Sequence, residues 1–299
     1  MELIQGGFSI LNGEKQSYLL SLVKKGGPEL ADYDRFTNLV LGLHPSQLED
    51  FRGIIKFALD ENTLMGRAYK KLFGYPGDFL LIDLIYKYYC NPDPRYTKWD
   101  EYFHKQAGTI AVRNRKEYFL EKIRDLVSRS DKEVKVLILG SGPASDVYDI
   151  YKELPDVPLT FDLVDFDQVA IDYSREKNAV NEGKITYNRI NALRFKPFQF
   201  YDMIWSAGLF DYFKDKHFVF LIKKYINCLM ENGEFIIGNF TENPSKVLMA
   251  NIAEWHLNLR SEADLFRLAS EAGIHDKLVT IERESLGINL FMRIQSNNK

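Results

Sequence analysis

From residue 134 onward, short aliphatic and β-branched runs alternate with stretches of helical periodicity. The predicted strands are Val134–Leu139, Leu159–Val164, Ile185–Ile190, Met203–Trp205 and Glu234–Gly238, and the helices between them are Ala144–Leu154, Gln168–Asn181 and Lys216–Met230. Strands that alternate with helices in this way predict βαβ units around a parallel sheet. After helices at Pro244–Leu259 and Ser261–Ala272, two further strands at Lys277–Glu284 and Ile288–Ile294 are joined by a turn at Gly287. The sheet is therefore predicted to end in an antiparallel hairpin.

The region before residue 131 has helical periodicity throughout and no strand pattern. Its predicted helices are Ser17–Lys25, Asp32–Leu43, Pro45–Leu59, Asn62–Phe73 and Phe79–Tyr89, followed by one long helix or two over Thr97–Ser130. Turn clusters rich in glycine and proline separate them, as at Gly26–Pro28 and Gly74–Asp78. We therefore expect two domains: a helical cap and substrate region over residues 1–130, and a sheet domain over residues 131–299.

Composition limits the function classes. The 299 residues are 45% hydrophobic and 27% charged, which is typical of a globular protein, and the net charge of −3 gives no electrostatic reason to expect nucleic-acid binding. Cys90 and Cys228 are too few for a disulfide scaffold or a four-cysteine zinc site, and the histidines show no metal-ligand spacing, so we expect no metal.

No stretch reaches the roughly 18 apolar residues of a membrane span. The first 26 residues lack the basic start and the unbroken apolar core of a signal peptide. We therefore expect a cytoplasmic protein without an integral membrane segment. The sequence does not specify whether the chain forms oligomers.

The strongest local motif is the glycine loop Gly140-Ser141-Gly142-Pro143, which lies between a predicted strand and a predicted helix. Gly140 permits a tight turn, and Gly142 permits a ligand to approach the backbone. The following strand ends in Asp165-Phe166-Asp167, where a carboxylate can accept hydrogen bonds from ribose hydroxyls. Asp165 is the better ribose ligand, because Asp167 also stands where it would cap the next helix. The pattern predicts an adenosine-containing cofactor.

Two features favour S-adenosylmethionine over a nicotinamide dinucleotide. Ser145 occupies the third glycine position of the dinucleotide fingerprint, which is less favourable for a pyrophosphate. With its antiparallel ending, the chain resembles the class I S-adenosylmethionine-dependent methyltransferases. That resemblance implies a Rossmann-like seven-stranded methyltransferase sheet, an adenine contact at Asn191-Ala192 and a cofactor contact at the bend Ser206-Ala207-Gly208.

Four further stretches resemble one subgroup of that superfamily, the group named for 3-hydroxypalmitic acid methyl ester biosynthesis. They are Gly74–Asp78 with Ile85-Tyr86, Ala111–Arg115, Ser206–Tyr212, and Gly238–Phe240 with Trp255–Leu257 and Arg260. This resemblance covers the chain from about Leu72 to its end. It implies methyl transfer to a small or lipid-like acceptor, most readily to the carboxylate oxygen of a hydroxy fatty acid.

Candidate substrate and catalytic residues follow from these stretches. The expected substrate contacts are Tyr75, Asp78, Arg113, Asn239, Trp255 and Arg260, with Arg113 preferred to Arg115 as an anion clamp. Trp255, His256 and Arg260 would form one side of a helical lid. Tyr212 is expected to orient the nucleophile or border the sulfonium, and His256 would serve as a general base if the acceptor needs one. Asp211, which follows the fourth predicted strand, is a further catalytic candidate.

Three alternatives remain open from the sequence. An amine acceptor would make the protein an N-methyltransferase. A nicotinamide-dependent oxidoreductase would use the same glycine loop, and a non-catalytic binding protein could retain a methyltransferase scaffold. Base methylation of nucleic acid is less favoured, because an Asn/Asp-Pro-Pro-Tyr motif does not follow the fourth predicted strand.

Overall fold

The computed structural model describes residues 11–296, and the chain divides into two compact units. The helical unit comprises Met1–Thr109 and Pro244–His256, and the sheet unit comprises Ile110–Asn243 and Leu257–Lys299. The ends of the two predicted domains, residues 1–10 and 297–299, lie outside the described residues.

Within the described residues, the sheet unit contains one seven-stranded sheet, which confirms the predicted fold class. The strands are β1 (Val134–Leu139), β2 (Leu159–Asp165), β3 (Ile185–Arg189), β4 (Tyr201–Ser206), β5 (Leu229–Phe240), β6 (Val279–Arg283) and β7 (Asn289–Gln295). Their spatial order is β3-β2-β1-β4-β5-β7-β6, and β7 runs antiparallel to both of its neighbours. Strand β1 runs parallel to β2 and to β4. The carboxyl ends of these three strands therefore lie at the same edge of the sheet, where ligands bind in such folds.

Helices cover both faces of this sheet. They are α7 (Ala107–Ser128), α8 (Ser145–Glu153), α9 (Gln168–Lys177), α10 (Asp215–Tyr225) and α12 (Glu262–Glu271). On one face, Phe119 of α7 and Ile150 of α8 join the buried core of the central strands. On the other, Phe218 of α10 and Leu265 of α12 belong to a second core. Burial of these apolar faces stabilises the unit, at about 25 cal/mol per Å² of apolar surface removed from water.

The helical unit is built from seven helices within its described residues. They are α1 (Gly13–Lys24), α2 (Tyr33–Leu41), α3 (Leu48–Ile54), α4 (Leu64–Lys70), α5 (Phe79–Tyr86), α6 (Thr97–His104) and α11 (Lys246–Ala253). Phe36, Phe51 and Trp99 form the centre of its core, and Leu248 and Ile252 of α11 complete it. No helix over residues 11–296 combines the length and the apolar character needed to cross a membrane.

The division into units differs from the expected boundary near residue 130. The greater part of α7 belongs to the sheet unit, because Tyr118 stacks on Phe291 of β7 with ring centroids 3.8 Å apart. The segment after β5 belongs to the helical unit, where the Arg52 guanidinium donates to the Asn251 carbonyl oxygen at 2.9–3.0 Å. Both assignments depend on contacts between distant parts of the chain.

Candidate active site

The glycine loop bends sharply at the carboxyl end of β1. Gly140 has a φ of +70° and Gly142 a φ of +51°, a region that glycine enters without strain. The amides of Gly140 and Ser141 both donate to the carbonyl oxygen of Val164, at 2.8 and 3.1 Å. A Cβ on Gly140 would lie 3.1 Å from the Cβ of Leu209. The bend is therefore fixed by the end of β2 and by the segment after β4.

Asp165 joins the end of β2 to this loop. Its carboxylate accepts hydrogen bonds from the Gly142 amide at 2.8 Å and from the Asp167 amide at 3.0 Å. Burial raises the pKa of Asp165 above its usual value, although these amide donors oppose the rise. The carboxylate thus lies beside the glycine loop, as expected for a ribose ligand.

Its neighbours Phe166 and Asp167 have different surroundings. The Phe166 side chain is more than half exposed. The Asp167 carboxylate accepts a hydrogen bond from the Val169 amide at 2.9 Å and caps α9. Asp167, proposed from the sequence as a cofactor residue, therefore has an N-capping role in the structure.

Ser141 shows that a polar ligand fits at this loop. The residue is 7% exposed, and within the described part of the chain its Oγ is a buried atom with no hydrogen-bond partner. An unpaired buried hydroxyl costs about 1–3 kcal/mol, so a polar group at this place is favourable. Pro143 is buried beside it. The loop residues present therefore fit an adenosyl cofactor with polar substituents.

The ends of β3 and β4 supply the remaining predicted cofactor residues. Asn191 is exposed, and its Oδ1 accepts the Leu193 amide at 2.8 Å. Ala192 is buried in the adjoining core. Ser206 is fully buried, and its hydroxyl donates to the Leu139 carbonyl oxygen at 2.8 Å, which holds the ends of β4 and β1 together.

Arg115, rather than Arg113, is the arginine at the carboxyl end of β4. It is 8% exposed, and its guanidinium lies against Gly208, where a Cβ would come within 2.8 Å of Nη1. Nη1 lies 3.5 Å from the Ala207 carbonyl oxygen. Arg113 is only half-buried. The sequence contains a signal that favours Arg115 over Arg113. Arg115 lies four positions before Phe119, so the two share a helix face, and Phe119 is buried in the sheet core.

Asp211 follows the same strand and is almost fully buried. Its Oδ1 accepts the Phe240 amide at 2.7 Å, and its carbonyl oxygen accepts the Asn258 amide at 2.8 Å. Burial raises the pKa of Asp211 to about 6, against the opposing charges of Arg115 and Arg260. A second carboxyl, Asp146 in the first turn of α8, also has a pKa raised to about 6 by burial. Sequence reasoning did not single out Asp146.

Arg260 and Asn239 are used inside the protein. Arg260 is 4% exposed and donates to the carbonyl oxygens of Phe210 and Phe213 and to the Asp215 carboxylate, at 2.6–3.2 Å. It also donates to Asn239 Oδ1 at 2.7 Å. Asn239 is fully buried, and its amide nitrogen donates to carbonyl oxygens at 2.8–3.0 Å. We expected both residues to contact substrate, but their polar atoms serve the fold instead.

The predicted helical lid is wrong. Helix α11 ends at Ala253, and Glu254 takes a left-handed conformation with a φ of +49°. Its amide caps the helix, and the chain up to residue 261 is not helical. Trp255 is buried and His256 is exposed, so adjacent residues of this segment differ in environment.

The other predicted residues of the helical unit lie near α5. The Asp78 carboxylate caps α5 by accepting the amides of Leu80 and Leu81 at 3.1 and 2.9 Å. Tyr75 is half-buried in the preceding turn. In the sheet unit, Tyr212 is one-third exposed after β4. The structure thus places the predicted cofactor residues at the carboxyl ends of the strands in the sheet unit, and it places Tyr75, Asp78, Trp255 and His256 in the other unit.

The sequence matches neither a protein-family model nor a curated protein. Similarity is found among solved structures, and these have the fold of class I S-adenosylmethionine-dependent methyltransferases. The methyltransferase SibL is 14% identical, with a TM-score of 0.52 over 79% of this chain and 70% of its own. Magnesium protoporphyrin IX methyltransferase of Synechocystis PCC 6803, with bound SAH, is 11% identical, with a TM-score of 0.50 over 64% and 87%.

Similarity to a solved structure also extends over nearly the whole chain. A protein of Bordetella parapertussis, described as a possible exported protein, is 17% identical and has a TM-score of 0.68. The match covers 96% of this chain and 100% of the Bordetella protein. At these identities the similarity establishes the fold, which is the methyltransferase sheet predicted from the sequence.

Proposed function

We propose that this protein is an S-adenosylmethionine-dependent methyltransferase. The observation that carries the proposal is the glycine loop itself, where the buried Ser141 hydroxyl has no partner and the Asp165 carboxylate lies on the Gly142 amide. These groups fit a ligand that offers polar atoms and ribose hydroxyls. The methyltransferase folds of the similar structures support the same conclusion.

Each cofactor residue has a distinct part in this proposal. Gly140–Pro143 would approach the cofactor through the backbone, and Asp165 would accept the ribose hydroxyls. Phe166 would lie beside the ribose, and Asn191 and Ala192 beside the adenine. Ser206–Gly208 would border the donor end at the tip of β4. When bound, the cofactor supplies a methyl group on a positively charged sulfur.

Positioning is the chief contribution of such an enzyme. The reaction requires nucleophile, methyl carbon and sulfur in line, and correct alignment can lower a barrier by about 7–11 kcal/mol. The Ser206 hydroxyl, fixed on the Leu139 carbonyl, holds the ends of β4 and β1 in register at this point. This hydrogen bond supports the start of the bend after β4, where the methyl group would lie.

The acceptor that we propose first is the carboxylate of a small or lipid-like molecule of the hydroxy-fatty-acid type. Its support is the resemblance of four stretches to the subgroup named for 3-hydroxypalmitic acid methyl ester biosynthesis. A carboxylate is ionised at neutral pH, so its oxygen attacks without a general base. Tyr212 would then serve to orient the acceptor, and Arg113 would contact it.

An amine acceptor is the second candidate, and Asp211 is the observation that favours it. An amine or alcohol must lose a proton, and a carboxyl whose pKa is raised to about 6 is well suited to accept one near neutral pH. The two candidate acceptors therefore differ in whether a proton is lost: an amine loses one during methylation, and a carboxylate does not.

Calorimetry tests the cofactor. We expect S-adenosylmethionine and S-adenosylhomocysteine to bind the wild-type protein and Asp165→Ala to bind them at least about tenfold more weakly. Asp202→Asn is the matched control, because Asp202 is an acid at the start of β4 that accepts the Lys135 amide at 2.8 Å. Binding of NAD in place of both adenosyl compounds would identify an oxidoreductase and overturn the proposal.

Transfer of a labelled methyl group tests the acceptor. Hydroxy fatty acids, amines and phenols are compared at equal concentration, with the label followed into each product. Ester formation supports the carboxylate acceptor, and transfer to amines alone refutes it. Cofactor binding without transfer to any acceptor would indicate a non-catalytic binding protein.

A further inference from the structure

We infer that Arg115 and Asp146 form a zwitterion clamp that binds the amino-acid end of the cofactor. Arg115 would hold the carboxylate and Asp146 the ammonium group. The inference rests on the proposed function, since it assigns residues to a part of that cofactor which the glycine loop and Asp165 leave unassigned.

Arg115 is placed for this task by the end of β4. A largely buried guanidinium lies against Gly208, and the Ala207 carbonyl oxygen is 3.5 Å from its Nη1. A Cβ at Gly208 would lie within 2.8 Å of Arg115 Nη1, so glycine leaves the space that the guanidinium occupies. Arginine binds carboxylates through a planar fork of donors, so a guanidinium at the sheet edge suits a carboxylate ligand.

Asp146 provides the opposite charge in the segment that follows the glycine loop. It lies in the first turn of α8, four residues after Gly142, and its Oδ1 accepts the Val147 amide at 3.0 Å. Burial raises its pKa to about 6, and the positive charges of Arg115 and Lys116 oppose that rise. A cation beside this carboxyl would offset the cost of keeping it ionised.

The charge balance of this edge favours a zwitterion over a phosphate. Asp146, Asp165 and Asp211 all carry pKa values raised by burial, and Arg115 is the cation whose charge acts on both Asp146 and Asp211. A dinucleotide would bring two phosphate charges toward these carboxyls. An adenosyl amino acid brings an ammonium group instead, and the buried Ser141 hydroxyl offers it a further polar contact.

Ligand analogues separate the two contacts. The probes are S-adenosylhomocysteine, its decarboxylated analogue and its deaminated analogue, each titrated by calorimetry. Arg115→Gln should weaken S-adenosylhomocysteine about 30-fold or more and leave the decarboxylated analogue unchanged. Asp146→Asn should weaken S-adenosylhomocysteine by a similar factor and leave the deaminated analogue unchanged.

Arg124→Gln is the matched control. Arg124 and Glu153 form an ion pair at 2.5 Å between α7 and α8, the two helices that carry Arg115 and Asp146. Removal of this pair perturbs the same helices away from the sheet edge, so affinity for all three probes should stay within about twofold. Circular dichroism confirms that each variant is folded.

The outcomes distinguish the clamp from the proposed function. If Arg115→Gln weakens S-adenosylhomocysteine and its decarboxylated analogue equally, Arg115 acts on the fold and the clamp is refuted. The same holds for Asp146→Asn and the deaminated analogue. If the wild-type protein binds none of the three probes, the proposed function itself fails.

Discussion

Replacement of Arg260 by alanine tests whether this residue holds the fold together or contacts substrate. The side chain is 4% exposed, and its donors reach Phe210, Phe213, Asp215 and Asn239. Truncation would leave buried oxygens without donors just after β4. Each such oxygen costs about 1–3 kcal/mol, and breaking a buried ionic group from its partners costs about 3–5 kcal/mol.

The variant Arg267→Ala separates the effect of burial from the effect of losing an ion pair with Asp215. It pairs with the same Asp215 carboxylate at 2.7 Å, but it is 46% exposed. An exposed ion pair contributes at most about 1 kcal/mol, so Arg267→Ala should be nearly neutral. For a unit of this size, about 2–4 °C of melting temperature corresponds to 1 kcal/mol. Arg260→Ala should therefore melt about 6–20 °C below the wild type.

Thermal unfolding followed by far-UV circular dichroism measures the difference. Both variants are compared with the wild type in the same buffer, and cofactor affinity is measured below the transition. If Arg260→Ala melts within about 2 °C of Arg267→Ala while losing methyl transfer, the structural role is refuted. The original expectation of a substrate contact would then be favoured.

Three further predictions concern the proposed cofactor site. Gly140→Ala should destabilise the protein by about 1–2 kcal/mol in urea unfolding, because Gly140 has a positive φ. Gly183→Ala is the control and should leave the free energy of unfolding nearly unchanged, because its Cβ would meet nothing within 4 Å. Gly208→Ala should displace the Arg115 guanidinium and weaken S-adenosylhomocysteine by about tenfold in calorimetry, with stability within about 1 kcal/mol. Because the pKa of Asp146 is about 6 and its proposed contact needs the ionised form, affinity should fall between about pH 7 and pH 5, and an affinity unchanged over this range would contradict the contact.

The sheet could be predicted because its signals are local. Strand β1 has the predicted bounds, Val134–Leu139, since an unbroken aliphatic run ends at the glycines of the bend. Strand β5 is longer than the predicted Glu234–Gly238 and starts at Leu229. The left-handed Asn232 permits a bulge opposite β4, and a side-chain pattern does not reveal such a bulge.

Features that depend on distant pairing could not be predicted. The residues of α11 favour a helix wherever the segment packs. Its place in the helical unit depends on contacts such as the hydrogen bond from Arg52 to the Asn251 carbonyl oxygen, which joins residues 199 positions apart. The turn at Glu254 that ends α11 uses a left-handed conformation that glutamate rarely adopts, so nothing in the residue type signals it. The choice of Arg115 over Arg113 could be predicted from the sequence, because Arg115 lies four positions before Phe119 and shares its helix face.

The helical unit is assembled from two separated pieces of chain, with α11 contributed by the later one. The Asn251 side chain donates to the Val40 carbonyl oxygen at 3.1 Å, and Leu248 and Ile252 complete the same core. On the ribosome, the first 109 residues emerge well before these partners are made. The sheet strands β1–β5 are synthesised in between.

An early core that lacks α11 would expose apolar surface of α2 and α4, the helices that α11 packs against, while translation continues. Exposed surface of this kind attracts chaperones and promotes aggregation. A fragment of residues 1–109 alone, the earlier piece of this unit, should therefore be recovered mainly insoluble. Supplying Pro244–His256 as a separate peptide during refolding should restore solubility, since it returns the missing wall of that core.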